Sequence, residues 1–454
     1  MSAVDVRTAV APPLRVGIVA GEHSGDQLGA ALIAALRERA PAVECFGVAG
    51  PKMIAQGCEA WARSEELAVM GLTEVLRHLP RLLRLRSGLR RRFAAARPDV
   101  FVGIDAPEFN LPLARQLKAA GIRTAQYVSP QVWAWRQGRV RTIGGACDLV
   151  LCLLPFESEF YRRHGVRAEF VGHPLADEIP LVVDREAARR ALGLDPLTPV
   201  VALLPGSRIG EVSRLAAPFA AAAARIATRR PGWQFLAPMA SPAAREAFMR
   251  EIAQVPDVPA IRVLDGEAQR ALAAAEGVIV ASGTATLETL LTGRPMVVAY
   301  RVSAATAFLL RTLKLVKVPY FSQPNLLAGR RLVPEFFQEQ VQGAALGDAL
   351  LQELEDHDHV RELVDAFADI HRSLRRGGAA RAAAAILECA GRATGALATG
   401  REAGGRGAGL PPGTSRVLRA WMRRGGARSR ARWSRRPSSS IAVGASAGSP
   451  TRRS

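Results

Sequence analysis

The sequence predicts an α/β protein built from two doubly wound parallel sheets that face a central cleft. Short apolar runs alternate with helical patterns from residue 14 to about 175, the alternation breaks into prolines and charges over 173–199, and a second alternating set follows. Such alternation means a parallel sheet with helices on both faces. A chain of 454 residues, 49% of them hydrophobic, can bury two cores.

In the first half LRVGIVAG, VECFGVAG, DVFVGID, RTAQYVS and LVLCLL read as strands. QLGAALIAALRER and LPLARQLKAAG read as helices, the second closed by Gly121. The stretch 173–199 reads as a linker. In the second half PVVALLPGS, WQFLAPM and AIRVLDG are strands, RLAAPFAAAAARIATRR is a helix, and GVIVASGTATLETLLTGRPMVVAY gives strand, loop, helix and strand. No close repeat relates the two Rossmann-like halves. The expected domains are 14–180 and 181–345, followed by helices over 346–390 and a tail over 391–454.

Charge is unevenly placed. The whole chain carries +20, but 391–454 holds fourteen arginines against the single acid Glu402, leaving about +7 for the body. That tail is rich in Gly, Ser, Pro and Ala and is expected to be disordered. Its run RRGGARSRARWSRR suits nucleic acid or anionic lipid, or is simply solvated. The five cysteines form no Cys-x-x-Cys pair and no zinc spacing, which predicts reduced, packed thiols in a cytosolic protein. The first fifteen residues lack a signal-peptide core, and eighteen uncharged apolar residues never run together, so neither export by a standard signal nor a membrane span is expected.

In paired open sheets ligands bind at the carboxyl ends of the strands, so the loops decide the chemistry. VGIVAGEHSGDQLG (16–29) has glycines at 21, 25 and 29 and the acid Glu44 further on, like a dinucleotide turn, yet it carries Glu22, His23, Ser24 and Asp26. LLPGSRIGEV (203–212) offers Ser207 and Arg208 at a helix start, where free N–H groups favour an anion; an ordinary cap with a solvated arginine is the alternative. VASGTATLETLL (280–291) places Ser282, Gly283 and Thr284 before a helix, with Glu288 one turn on; a capping box with a surface glutamate is its plainer reading. Two such loops in one half favour a nucleotide.

In GIDAPEFN (103–110) Asp105 ends a strand and is either a turn residue or a general base, with Pro107 and Asn110 shaping the loop. YVSPQVWAWRQGRV (127–140) brings Trp133, Trp135, Gln131 and Arg136 together, for a sugar or acyl chain or for packing. FSQPNLLAGRRLVPEFFQ (321–338) carries Gln323 and Asn325 after the basic-apolar stretch AATAFLLRTLKLVK, in the cleft or in caps. Residues 70–93 interleave eight Leu or Val residues with seven arginines and one acid, Glu74, as an interfacial helix does, or a core-facing helix with a solvated side.

In chain order GEHSGD, MGLTEVL, GIDAPEFN, YVSPQVWAWR, VGHPLAD, LLPGSR, SGTATLE and QPNLLAGRRLVPEFFQ closely resemble the bacterial lipid-A-disaccharide synthase family, glycosyltransferases of the B-type fold. The likeness runs from about 14 to 390; His23 stands where the family usually has alanine, and the tail has no counterpart. The resemblance implies inverting transfer from UDP-2,3-diacylglucosamine to 2,3-diacylglucosamine 1-phosphate, giving a β(1→6) disaccharide 1-phosphate and UDP, with no cofactor and no metal. It implies Asp105 as the base, Ser207, Arg208, Ser282, Gly283 and Thr284 at the diphosphate, and Glu288 on ribose. Gln323 and Asn325 then lie near the donor's phosphates or sugar, and Ser24 and Asp26 shape the acceptor side.

Acylated substrates imply a cytoplasmic enzyme held peripherally on the inner membrane, with Arg81, Leu82, Leu83 and Arg84 (and Arg90 and Arg91) as the contact and no nucleic-acid partner. The family suggests a homodimer with exchanged C-terminal elements; otherwise 346–390 packs back on the first domain. Two other readings are an NAD-dependent dehydrogenase, which would want G-x-G-x-x-G where the glycines are spaced by four, and a non-catalytic nucleotide-sugar or lipid-binding protein.

Overall fold

Two parallel sheets of nearly the same plan organise the chain. The computed structural model describes residues 12–67, 72–135, 137–303 and 320–392, apart from the side chains of 22, 23, 72–78, 134 and 135. The first sheet contains β1 (Arg15–Ala20), β2 (Glu44–Ala49), β3 (Glu59–Arg63), β4 (Val100–Ile104), β5 (Arg123–Tyr127), β6 (Leu149–Cys152) and β7 (Ala168–Phe170), in the order β3-β2-β1-β4-β5-β6-β7. The second contains β8 (Val200–Leu204), β9 (Gln234–Met239), β10 (Ile261–Asp265), β11 (Gly277–Ala281), β12 (Met296–Tyr300) and β13 (Glu335–Phe337), ordered β10-β9-β8-β11-β12-β13. All pairings are parallel. β4, β8 and β11 are buried throughout, as expected of strands covered on both faces.

The expected strands form, and three short ones join them at or next to the sheet edges: β3, β7 and β13. The stretch 173–199 is more ordered than a linker and holds helices Pro174–Glu178 and Arg185–Ala191. Arg189 of the latter is buried, donating to the Ala274 carbonyl at 3.0 Å and pairing with Glu276 at 2.8 Å, which ties this stretch to the second half.

The C-terminal helices divide between the two cores, which corrects the expectation that the whole of 346–390 serves the first. Helix Gly343–Glu355 places Leu346, Leu350 and Leu351 in the core under β8, β11 and β12. Helix Gly378–Cys389 places Ala382, Ala383, Ile386 and Leu387 of the same chain in the core around β1, β4 and helix Glu22–Arg39. Between them, helix His357–Leu374 leads to a crossing where the Asp177 carboxylate accepts the Gly377 and Gly378 N–H groups at 2.9 and 2.6 Å. The His173 N–H meets the Leu374 carbonyl at 3.0 Å in the same place. The tail begins two residues later than expected, since Arg392 donates to Pro12 and pairs with Asp99 at 3.3 Å; 393–454 lie outside the described residues.

Candidate functional site

In each sheet the chain reverses its direction of growth between the first and fourth strands, so the crevices open beyond β1/β4 and β8/β11. The second crevice holds a cavity of about 290 Å³. Gly206 and Ser207 after β8 line it, as do Ser282, Gly283, Thr284 and Glu288 after β11. The sequence thus assembled one place from two loops more than seventy residues apart.

Its chemistry follows from two helix starts. Helix Ile209–Arg229 begins after Arg208, helix Thr284–Leu291 after Gly283, and neither start has a side-chain cap. Both capping alternatives raised by the sequence therefore fail, and backbone donors at two positive helix ends remain available to an anion. Gly283, at φ +150°, has nothing within 4 Å of where a Cβ would stand, so a bound group can approach its backbone closely. Gly206, at φ +117°, is closed instead, because a Cβ there would come within 2.8 Å of the Glu211 side chain.

Arg208 sits at the rim, its side chain 78% exposed and 3.6 Å from Glu211. That exposed pair holds it loosely. Burial pushes the Glu288 carboxyl above its ordinary value, and no hydrogen bond or ion pair engages that side chain among the described residues. Ser282 donates its hydroxyl to the Phe321 carbonyl at 2.9 Å, and Gln323 docks its backbone N–H on Thr286 at 3.3 Å with its side-chain oxygen buried and unpaired.

Asn325 is a correction. It is fully buried, donates to Val333 and Glu335, and accepts the Leu332 and Val333 N–H groups, so nothing is left for a ligand. It braces the loop from inside, together with Glu335, whose carboxylate accepts from the Ser322 hydroxyl at 2.6 Å. Sequence reasoning missed Thr286, whose partner Gln323 lies 37 residues on, and Glu335, whose partners lie in the same stretch but meet it only through the way that loop folds back. The stretch 304–317 lies outside the described residues.

At the first crevice Asp105 follows β4 at φ +52°, Ala106 stands at +39°, and Val128 after β5 at +70°. Each costs about 1–3 kcal/mol for a residue with a Cβ, which the surroundings must supply. Burial raises the Asp105 carboxyl above its usual value, partly offset by a hydrogen bond from the Ala106 N–H. A raised carboxylate at a crevice mouth is suited to taking a proton.

Around it the expected loop 21–26 is already helical, since helix Glu22–Arg39 starts immediately after Gly21. Ser24 is exposed, but Asp26 is buried and accepts the Lys52 and Met53 N–H groups, both at 2.9 Å, capping helix Pro51–Ala55. Its carboxylate is structural, which corrects its assignment to a ligand-shaping loop. Glu44 pairs with Arg15 at 3.1 Å on the surface.

In the next loop Trp133 is a packing residue. It is buried, edge-on to Phe156, and its indole N–H donates to Glu157 at 3.1 Å. Gln131 is exposed; the Trp135 side chain and all of Arg136 lie outside the described residues. Helix Leu72–Ala96 is seated by Phe93, which packs on Phe46, Trp61 and Phe101. Away from that seat Leu79 and Leu83 stand 43% and 44% exposed, one turn apart, beside exposed Arg81 and Arg84, with Leu82 half-buried.

Residues 16–389 match the family described as Lipid-A-disaccharide synthetase. The chain is 53% identical over 380 residues to a protein named lipid-A-disaccharide synthase from Alkalilimnicola ehrlichii, covering 83% of this chain and 99% of that one. Among solved structures, UDP-GlcNAc 2-epimerase from Neisseria meningitidis bound to UDP-GlcNAc has a TM-score of 0.57 at 12% identity, covering 83% of this chain and 100% of its own. CalG4, the calicheamicin glycosyltransferase, has 0.53 at 17%, covering 84% and 99%. These structural likenesses establish the two-domain fold.

Proposed function

The chain belongs to the lipid-A-disaccharide synthetase family, glycosyltransferases that form the lipid A disaccharide from a UDP-sugar and a lipid-linked acceptor, and we propose that it does so by single inverting displacement. The donor is UDP-2,3-diacylglucosamine and the acceptor 2,3-diacylglucosamine 1-phosphate. Asp105 takes the proton of the attacking acceptor hydroxyl as the anomeric C–O bond to UDP breaks, turning an α-linked donor into a β-linked product. The diphosphate rests on the Gly283–Thr284 backbone and the start of helix Ile209–Arg229, where Arg208 swings from Glu211 to meet the departing charge. Glu288 accepts the ribose hydroxyls and Gln323 supports the donor side.

The observation that carries this reading is the pair of uncapped helix starts on one cavity. Its test is release of UDP from the two diacylated substrates with chelator present, and the anomeric coupling constant of the product by NMR. A β-linked disaccharide is expected; no UDP release, or an α-linked product, rejects the reading.

No described helix is long and apolar enough to cross a membrane. We place the acylated substrates' entry at helix Leu72–Ala96, where Leu79 and Leu83 insert and the arginines meet anionic headgroups. Each arginine near such a surface contributes about 1 kcal/mol. Replacing Arg81, Arg84, Arg90 and Arg91 together with serine is therefore expected to weaken co-sedimentation with phosphatidylglycerol vesicles by roughly 100-fold or more. Unchanged sedimentation removes this helix from the role.

A further inference from the structure

Two fully buried amides converge on one carbonyl. Gln126 in β5 donates its Nε2 to the Asp105 carbonyl at 3.0 Å, and to Tyr127 and Val128 at 3.3 and 3.4 Å. Asn110, on helix Pro107–Ala119, donates its Nδ2 to the same Asp105 carbonyl at 2.9 Å, and to Val19 and Ile104 at 3.3 Å. Neither residue is measurably exposed. Six carbonyl contacts around two nitrogens fix which end of each amide points inward, because the reverse orientation would set oxygen against oxygen.

Room for the pair comes from Gly103, beside Gln126 in the β4/β5 register. A Cβ at 103 would stand 2.8 Å from the Asn110 Cβ and 3.0 Å from the Gln126 Oε1. Of the five carbonyls gathered this way, those of Ile104 and Asp105 lie where β4 ends and those of Tyr127 and Val128 where β5 ends, beside the left-handed backbone of Asp105, Ala106 and Val128; the fifth, of Val19, lies in β1. Both amide oxygens stay buried without a partner, so the donor ends alone anchor the pair. A sheet needs no such arrangement to pair β4 with β5. A turn that has to hold one carboxylate still does.

We propose that Gln126 and Asn110 are positioning residues, which clamp the Asp105 carbonyl so that its carboxylate is held at the crevice mouth in a left-handed turn. The proposal rests on Asp105 being the base. Without the clamp the turn relaxes, the carboxylate gains solvent, and the reacting geometry is lost.

The test is Gln126→Met in the full-length protein. The expected result is a kcat lower by about 10- to 100-fold, with donor KM and UDP affinity within about twofold of the parent. The acidic limb of the kcat profile should move to lower pH, because a better solvated carboxyl titrates lower. Adding Ala106→Gly, which adopts positive φ without a Cβ penalty, is expected to restore most of kcat and return the limb. An unchanged kcat and limb, or failure of Ala106→Gly to rescue a folded protein, overturns the proposal. If Gln126→Met does not fold, Asn110→Ser carries the same readouts, and parental values there overturn it equally. Asp105→Asn separates the two claims: if that variant keeps its turnover, the base assignment fails. If it loses turnover while Gln126→Met keeps it, only the clamp fails.

Discussion

Asp105→Asn is expected to lower kcat by about 10²- to 10⁴-fold while UDP binding, measured by calorimetry, is unchanged. The size is that of a general base removed from a hydroxyl attack. Asparagine suits the site because it has the same shape and, like aspartate, tolerates the left-handed backbone that Asp105 adopts. UDP affinity should survive because the cavity proposed for it lies on the second sheet. In the parent, kcat/KM should rise with pH through a carboxyl displaced upward by burial, and that limb should be missing in the variant. Turnover within about tenfold of the parent would assign the base elsewhere.

The second large effect concerns Glu157 and stability. This carboxyl lies fully buried beneath the tryptophan loop, accepting from the Trp133 indole and the Leu154 N–H, each at 3.1 Å. Burial raises its pKa from 4.5 to about 7. Because the folded value lies above the unfolded one, its contribution to stability is complete below about pH 4.5 and is lost as pH rises through about 7. A rise of that size corresponds to about 3 kcal/mol. Denaturant unfolding of the parent and of Glu157→Gln between pH 4.5 and 8 is therefore expected to show the parent losing about 3 kcal/mol relative to the variant as pH rises. Any fixed cost from the amide N–H facing the Leu154 N–H cancels in that comparison. Parallel curves would mean that Glu157 does not titrate in this range.

The central strands were legible because burial on both faces writes them as unbroken apolar runs. VGIVA, VFVGI and GVIVA leave nothing else to read. The short strands at or near the edges were not: β3 is EAWAR with its ends exposed, and β7 and β13 have three residues each, too few for a period. The phosphate-type loops were legible for a related reason, since small residues after a buried strand leave a helix start bare. Asp26 and Asn325 went wrong because a polar side chain in a loop reads the same whether it faces a ligand or a neighbouring backbone. Only the position of Lys52 and Met53, some 26 residues on, or the way the loop after Asn325 closes back on it at Leu332 and Val333, decides between these, and neither is written in the local pattern. Gln126 and Glu157 were overlooked for the converse reason. Gln126 sits within a buried strand, and Glu157 reads like its neighbour Glu159 in the polar helix Pro155–Arg163, so no motif marks either.

Because Gly378–Cys389 completes the core around β1 and β4, the order of biosynthesis constrains how the protein matures. At roughly 5–20 residues per second, the interval between β7 and that helix occupies the ribosome for about 10–40 s. Throughout that interval the nascent first half waits with an apolar flank of helix Glu22–Arg39 uncovered, whereas the second half acquires all its own parts in one continuous run. Maturation is therefore ordered from the middle of the gene outwards, with the earliest segment to emerge among the last to be sealed.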